Sequence, residues 1–120
     1  MSAFDPAAIL PEELLERIRF RAAQVDRDNV FPHDDLDELR AAGYLALFAP
    51  VEFGGAGLGL HEVSLLQQRL ATAAPATALA INMHLVWTGV AAVLHARGIT
   101  DLDFVLRCAA EGEIFAFGIS

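Results

Sequence analysis

Apolar residues recur at intervals of three and four positions over much of the chain, which is the spacing of amphipathic helices. One such stripe predicts a first helix that begins at Pro11 and runs to about residue 28. It consists of Leu14, Ile18, Ala22 and Val25. The same spacing predicts four further helices, at about residues 34–42, 61–74, 75–97 and 100–112. The predicted fold class is therefore all-α, a bundle of about five helices in one domain.

Capping and helix-breaking residues stand where these helices are predicted to begin and end. Gly43 follows the second helix in the position of a C-terminal cap, and Gly98 follows the fourth. Pro75 suits the first turn of the fourth helix. Thr100 and Asp103 resemble a capping box, which predicts that the fifth helix begins at Thr100.

A glycine-rich stretch, residues 44–59, separates the second and third predicted helices. It predicts a long ordered loop with a short extended piece at residues 45–48. Residues 54–59 read GGAGLG and invite a nucleotide-binding interpretation. No frame of this segment gives GxGxxG between a strand and a helix, and the chain has no lysine for a phosphate-binding loop. The glycines therefore predict turns of positive φ.

The fourth predicted helix carries no Asp, Glu, Lys or Arg between Arg69 and Arg97. A helix that is apolar all round must be covered all round, and the other helices are too short and too few to cover it. A membrane span is the weaker interpretation, because Asn82 and His84 stand near its centre. The apolar tail, residues 114–120, predicts a strand without a partner strand. Both features predict that more protein packs against this unit.

Charge and composition exclude several functional classes. The net charge is −8, and the eight basic residues are all arginines spread thinly along the chain. This is not the basic patch of a nucleic-acid binder or of a membrane-surface helix. Cys108 is the single cysteine, so an internal disulfide is excluded. The N-terminal residues lack the positive start and apolar run of a signal peptide, so we expect a cytoplasmic location.

Histidine spacing does not predict a metal site. His84 and His95 are eleven residues apart on one predicted helix, about 16 Å along its axis, which is too far for one ion. Cys108 lies within an amphipathic helix and is expected to be inert. His84 has two interpretations. The commoner one is a hydrogen-bonded core residue, and the other is that His84 and Thr88 face a ligand cavity between apolar walls.

Four segments together resemble the acyl-CoA dehydrogenase family. Residues 36–44, LDELRAAGY, look like a helix end of that family, and residues 50–57, PVEFGGAG, are similar to its loop P-x-E-x-GG-x-G. The fourth helix has a histidine near its centre and ends at a glycine, and residues 110–120 resemble the strand that leads into the middle β-domain. The resemblance covers nearly the whole chain in the family's order. It implies that residues 1–113 are the N-terminal helical domain and residues 114–120 the start of the β-domain.

The resemblance also implies a reaction, a cofactor and partners. Family members remove hydrogens from Cα and Cβ of an acyl-CoA thioester and pass hydride to FAD, and their catalytic base lies in a C-terminal helical domain. We therefore assign no catalytic residue to this chain. Phe117, Ile119 and Ser120 match the strand that touches the flavin.

The implied substrate-binding residues lie on the fourth helix: Asn82, His84, Trp87 and Thr88. The implied partners are acyl-CoA, the β-domain, the C-terminal domain and further copies of the chain in a homodimer or homotetramer. Electron-transfer flavoprotein is a further partner that the resemblance allows.

Two other functional interpretations stay open at the sequence level. The first is an acyl-CoA oxidase or a flavin-dependent monooxygenase of the same fold. The second is a helical interaction module without catalysis, which would also explain the uncovered helix and the unpaired strand. We expect the signature TEP-x-x-GSD in the residues that follow Ser120 if the family interpretation is right.

We predict that residues 1–120 alone show no dehydrogenase activity and no measurable FAD binding, because the implied flavin site needs the β-domain and a neighbouring subunit. We also expect self-association through uncovered apolar surface. Flavin fluorescence and size-exclusion elution of the purified chain with added FAD test this. A monomer that binds FAD stoichiometrically would contradict it.

Overall fold

The computed structural model describes residues 4–115, and these residues form α-helices, short 3-10 helices and loops without a strand. The α-helices are α1 (Glu12–Asp28), α2 (His33–Ala41), α3 (Leu60–Ala73), α4 (Pro75–Ala96) and α5 (Asp103–Ala110). The 3-10 helices are Pro6–Ala8, Tyr44–Ala46 and Val51–Phe53. The predicted all-α bundle of five helices is thereby confirmed. The predicted strand at residues 114–120 lies mostly outside the described residues.

The first four helices lie within about two residues of their predicted bounds, because their ends carry explicit signals. Glu12 and Glu13 occupy the first turn of α1, where acidic side chains interact favourably with the positive end of the helix dipole. Gly43 follows α2 with a φ of 81°, as its role of C-terminal cap requires. Pro75 occupies the first turn of α4.

The extended piece predicted at residues 45–48 is wrong, because Tyr44–Ala46 forms a 3-10 helix instead. Side chains of a half-buried strand alternate between core and solvent, whereas every residue from 44 to 49 is buried. The segment is closed by the glycine-rich stretch that follows. Ala56 N–H donates to Ala46 O at 3.0 Å, and Leu58 N–H donates to Leu47 O at 2.9 Å.

The capping box predicted at Thr100 is also wrong, since α5 begins three residues later at Asp103. The Asp103 carboxylate does not return to the backbone of Thr100. It lies 3.0 Å from Nδ1 of His95 at the end of α4, so it joins two helices. Thr100 contributes its backbone carbonyl, which accepts from Asp103 N–H at 3.1 Å.

Helix α4 packs against α1, α3, α5 and the 3-10 helix Tyr44–Ala46, and it contributes more buried residues than any other helix. These residues are Thr77, Ala78, Ile81, His84, Leu85, Thr88 and Ala91. The opposite side of the helix exposes a stripe that we call the open face of α4, formed by Leu79, Met83, Val86, Val90 and Val93. The prediction that this unit leaves apolar surface of α4 uncovered is confirmed.

Length and composition alone would also allow α4 to cross a membrane, which among residues 4–115 is true of this helix only. Core helices pass the same test, so it carries little weight. The buried side of α4 is packed against the rest of the bundle.

A buried carboxylate links three helices. Asp35 on α2 is only 1% exposed. One of its oxygens accepts from Arg21 Nε of α1 at 2.8 Å, and the other accepts from Thr77 Oγ1 of α4 at 2.7 Å. A buried charge is tolerated when it is paired and hydrogen-bonded, and both oxygens of Asp35 are.

A buried histidine also joins three segments. The His84 side chain is fully buried, and its Nε2 lies 2.7 Å from Leu45 O while its Nδ1 lies 3.0 Å from the backbone nitrogen of Phe115. A carbonyl can only accept and an N–H can only donate, so Nε2 carries the proton and Nδ1 is the acceptor. Burial lowers the pKa of His84 below its ordinary value, which keeps this neutral form.

We expect Asp35→Ala to lower the free energy of unfolding by about 3–5 kcal/mol, because Arg21 and Thr77 lose a buried partner. Urea unfolding followed by the fluorescence of Trp87, the single tryptophan, measures this. Asp37→Ala is the matched control. It removes an exposed ion pair with Arg40 and should cost less than about 1 kcal/mol. Equal losses in both variants would contradict the prediction.

We expect His84 to make the protein less stable as the pH falls below about 6.5. Above that pH the histidine is neutral in both states, whereas below it the unfolded chain binds a proton that the folded state excludes. The free energy of unfolding of the wild type should therefore fall by up to about 1.4 kcal/mol per pH unit relative to His84→Asn. Parallel stability curves for the two proteins between pH 5 and 7.5 would show that the idea is wrong.

Candidate functional site

A groove of about 800 Å³ runs between α3 and α4, and we call it the α4 groove. Its apolar lining comprises Phe48, Leu58, Leu60, Val63, Leu85, Val86, Val90, Val93 and Leu94 with glycines and alanines between them. Its polar lining comprises Ser64, Gln67, Gln68 and Asn82. The lining has no charged side chain, so the groove is suited to an uncharged, apolar ligand.

The loop after α2 supplies one wall of the α4 groove. Phe48 packs against α4 at Gly89, where an added Cβ would lie 3.2 Å from the Phe48 ring. The loop is held in this place by a close approach of its own backbone, because a Cβ at Gly55 would collide with the Ala49 carbonyl. The motif at residues 50–57, which contains Gly55, therefore shapes the loop that carries Phe48.

The polar side chains that line the α4 groove differ in whether they already have hydrogen-bond partners within the protein. Gln67 accepts a hydrogen bond from the Tyr44 hydroxyl at 2.7 Å and donates one to Ala78 O at 3.1 Å. Tyr44 is fully buried, and burial raises the pKa of its hydroxyl, so it stays a donor. Asn82 is exposed at the groove. Its amide is therefore accessible to a ligand.

Of the four residues predicted to bind substrate, Asn82 alone lines the α4 groove. His84 and Thr88 are fully buried in the core, and the Thr88 hydroxyl donates to the His84 carbonyl at 3.0 Å. Trp87 is half-buried and packs on the core cluster beside α5. The structure thus agrees with His84 as a hydrogen-bonded core residue, and its contact with substrate stays a prediction. Phe117, Ile119 and Ser120, predicted to touch the flavin, lie outside the described residues.

The valines of the α4 groove were not among the residues predicted from the sequence to bind substrate. Leu79, Met83, Val86, Val90 and Val93 recur at alternating steps of four and three residues, which is one stripe of a helix. That spacing was visible in the sequence. Because α4 is apolar on every side, its pattern does not tell which stripe is buried and which is open.

A separate polar cluster lies at the C-terminal end of α4. His95 is bonded to Asp103, the His95 and Phe53 rings meet edge to face, and the Arg107 guanidinium stacks 4.1 Å from the centre of the Phe53 ring. These contacts hold α5 against the loop between α2 and α3, which contains Phe53. None of these four residues lines the α4 groove.

Cys108 and the histidines form no reactive or metal-binding group in the described part of the chain. A hydrogen bond with Glu113, burial and the nearby carboxylates raise the pKa of the Cys108 thiol, so it is not activated as a nucleophile. Within residues 4–115, no three His, Cys, Asp or Glu side chains come together as metal ligands would.

Comparisons with known proteins agree with the motifs. The family model of the acyl-CoA dehydrogenase N-terminal domain matches residues 12–98. A putative acyl-CoA dehydrogenase, YdbM of Bacillus subtilis, is 42% identical over 64 residues, which are 53% of this chain and 17% of that protein. The mitochondrial isovaleryl-CoA dehydrogenase of Pongo abelii is 33% identical over 73 residues, 59% of this chain and 17% of the relative.

A third relative carries a different name. The L-evernosamine nitrososynthase of a Micromonospora strain is 36% identical over 120 residues, covering 88% of this chain and 26% of the relative. No solved structure gives a significant match. The chain spans about a quarter or less of the length of these three relatives. The family match covers most of the chain and coincides with α1–α4, so this chain belongs to the acyl-CoA dehydrogenase family, in its N-terminal helical domain.

Proposed function

We propose that this chain serves a flavin-dependent acyl-CoA dehydrogenase and that the α4 groove receives the acyl chain of the thioester. The observation that carries the proposal is the uncharged, predominantly apolar lining of the groove on a domain of this family. An acyl chain gains about 0.8 kcal/mol for each CH₂ group that it buries. The groove is large enough to hold several such groups.

The residues of this chain contribute binding and exclusion of water. Val86, Val90 and Val93 offer apolar wall on α4, and Phe48 offers it from the loop. Asn82 and Gln68 are exposed amides at the groove, where each can hydrogen-bond a polar atom of the ligand. The roles predicted from the sequence for His84 and Thr88, which are buried in the core, stay predictions.

In the complete enzyme, FAD would supply the acceptor for the hydride that leaves the β-carbon. The α4 groove does not suit this cofactor, because it offers no cation to a pyrophosphate. We therefore assign it to the acyl chain and leave the flavin contacts with Phe117, Ile119 and Ser120. The base that removes the α-proton is proposed to lie outside this chain.

The names of two relatives, the L-evernosamine nitrososynthase and an amino sugar nitrososynthase of Streptomyces rubradiris, support a second candidate, a flavin-dependent monooxygenase of the same fold that acts on an amino sugar. A sugar hydroxyl that is buried without a hydrogen bond costs about 1–3 kcal/mol. The groove meets such groups with few polar side chains, and Gln67 already uses its amide within the core. Its lining therefore favours the acyl chain. A helical interaction module would bind neither ligand.

We predict that octanoyl-CoA binds to the complete enzyme at least about a hundredfold more tightly than free CoA does. Burial of four or more CH₂ groups implies this difference. Val86→Asp should remove most of this advantage, because it places a charge among apolar atoms. Isothermal titration of both ligands against both proteins measures it.

Val30→Asp is the matched control for this titration, since Val30 is 55% exposed against 49% for Val86 and lies outside the α4 groove. It should leave both affinities unchanged. Equal affinities of the wild type for octanoyl-CoA and free CoA would contradict the proposed site. Binding of an amino sugar in place of octanoyl-CoA would favour the monooxygenase.

A further inference from the structure

His84 holds the chain at the point where it leaves the helical domain. The backbone N–H of Phe115 donates to His84 Nδ1 at 3.0 Å, thirty-one positions further along the chain. On the other side of the ring, Nε2–H donates to Leu45 O at 2.7 Å. One imidazole on α4 therefore fixes residue 115 against the loop that follows α2.

A ring contact between His84 and Phe115 also holds residue 115 against α4. The rings of His84 and Phe115 are stacked, with centroids 6.1 Å apart and planes inclined by 17°. Phe115 also packs on the core cluster that contains Ala91, Val105 and Leu106. Both the backbone and the side chain of Phe115 are thus tied to α4 and α5, whereas residues 113–115 have no regular structure of their own.

The imidazole is held in the one form that can do this. Only the neutral ring with its proton on Nε2 can donate to Leu45 O and accept from Phe115 N–H. If Nδ1 were protonated, its N–H would face the backbone N–H of Phe115, and neither group could accept a hydrogen bond from the other. Burial, which lowers the pKa of His84, agrees with the neutral form.

We infer that His84 is a positioning residue, which holds Phe115 in place directly before the predicted flavin contacts Phe117, Ile119 and Ser120. The part that concerns the flavin rests on the proposed function. Phe117 follows two positions after Phe115 in the sequence, so losing the hold on Phe115 should weaken the proposed binding of FAD. His84 itself touches neither substrate nor cofactor in this role.

Two substitutions separate positioning from packing. In His84→Asn the side-chain oxygen takes the place of Nδ1, which keeps the acceptor for Phe115 and loses the donor to Leu45. In His84→Gln the side-chain nitrogen takes the place of Nε2, which keeps the donor and loses the acceptor. Glutamine is the closer match to histidine in volume. A residue that only fills the core would therefore tolerate His84→Gln better than His84→Asn.

The experiment measures amide hydrogen exchange and FAD affinity in the complete enzyme that the proposed function requires, since residues 1–120 alone are predicted not to bind FAD. We expect His84→Gln to speed exchange in the peptide that ends at Phe115 by about tenfold, the factor that the net contribution of one hydrogen bond implies. FAD should bind about tenfold more weakly to the same variant. His84→Asn should change both quantities by less than about threefold. The peptide over residues 54–59 serves as the internal control for exchange.

Each other outcome overturns part of the argument. If His84→Asn speeds exchange at Phe115 as much as His84→Gln, the hydrogen bond does not hold the chain. If His84→Gln speeds exchange but leaves the affinity for FAD unchanged, His84 is only structural. A wild-type protein that binds no FAD would contradict the proposed function, and the exchange rates would still decide whether His84 fixes Phe115.

Discussion

Helix α4 has to be buried, and it carries no charge with which to face water. The domain is arranged around this constraint, with α3 and α5 on either side and the loop after α2 packed beneath Gly89. Each buried polar side chain on α4 has a hydrogen-bond partner within the protein. Thr77 donates to Asp35, His84 to Leu45 O and Thr88 to a carbonyl one turn earlier. These bonds let a polar atom stay in the core, and two of them also bring other segments to the helix.

The glycine-rich loop follows from the same constraint. An 18-residue connection between α2 and α3 can cover α4 only if it folds compactly, and it does so through backbone hydrogen bonds between residues 46–49 and 56–58. Gly55 is required because its Cβ position is occupied by the Ala49 carbonyl. Gly54 and Gly57 have φ values of 93° and 65°, which favour glycine. The motif that looks like a phosphate loop is thus a packing motif.

The sequence was informative where local signals decide the structure. Prolines, glycines and apolar spacing located α1 to α4 to within about two residues, because such signals act within one or two turns. It was uninformative where a distant partner decides. Asp103 could have capped its own helix, but His95 offers the better partner. No local signal distinguishes Asp35 from the other acids of its helical turn, although both of its oxygens are bonded, to Arg21 and Thr77.

For the same reason, only part of the candidate site could be predicted from the sequence. The sequence marked α4 as the helix of interest and placed Asn82 and His84 on it. Which side of α4 lines the groove depends on the placement of α3 and of Phe48, which no pattern within α4 records. A helix that is apolar on every side has no polar face that would orient it towards solvent. The polar residues drew attention to the buried side, since His84 and Thr88 stand there, whereas the valines form the open one.

An open groove also limits what this domain can do by itself. Val86, Val90 and Val93 remain about half exposed, so an acyl chain laid against them would keep part of its surface in water. The free energy of burial is proportional to the area removed from water, and only the area facing this chain is removed. In the proposed function this domain therefore supplies one wall of an acyl site, and Val86, Val90 and Val93 belong both to that wall and to the open face of α4.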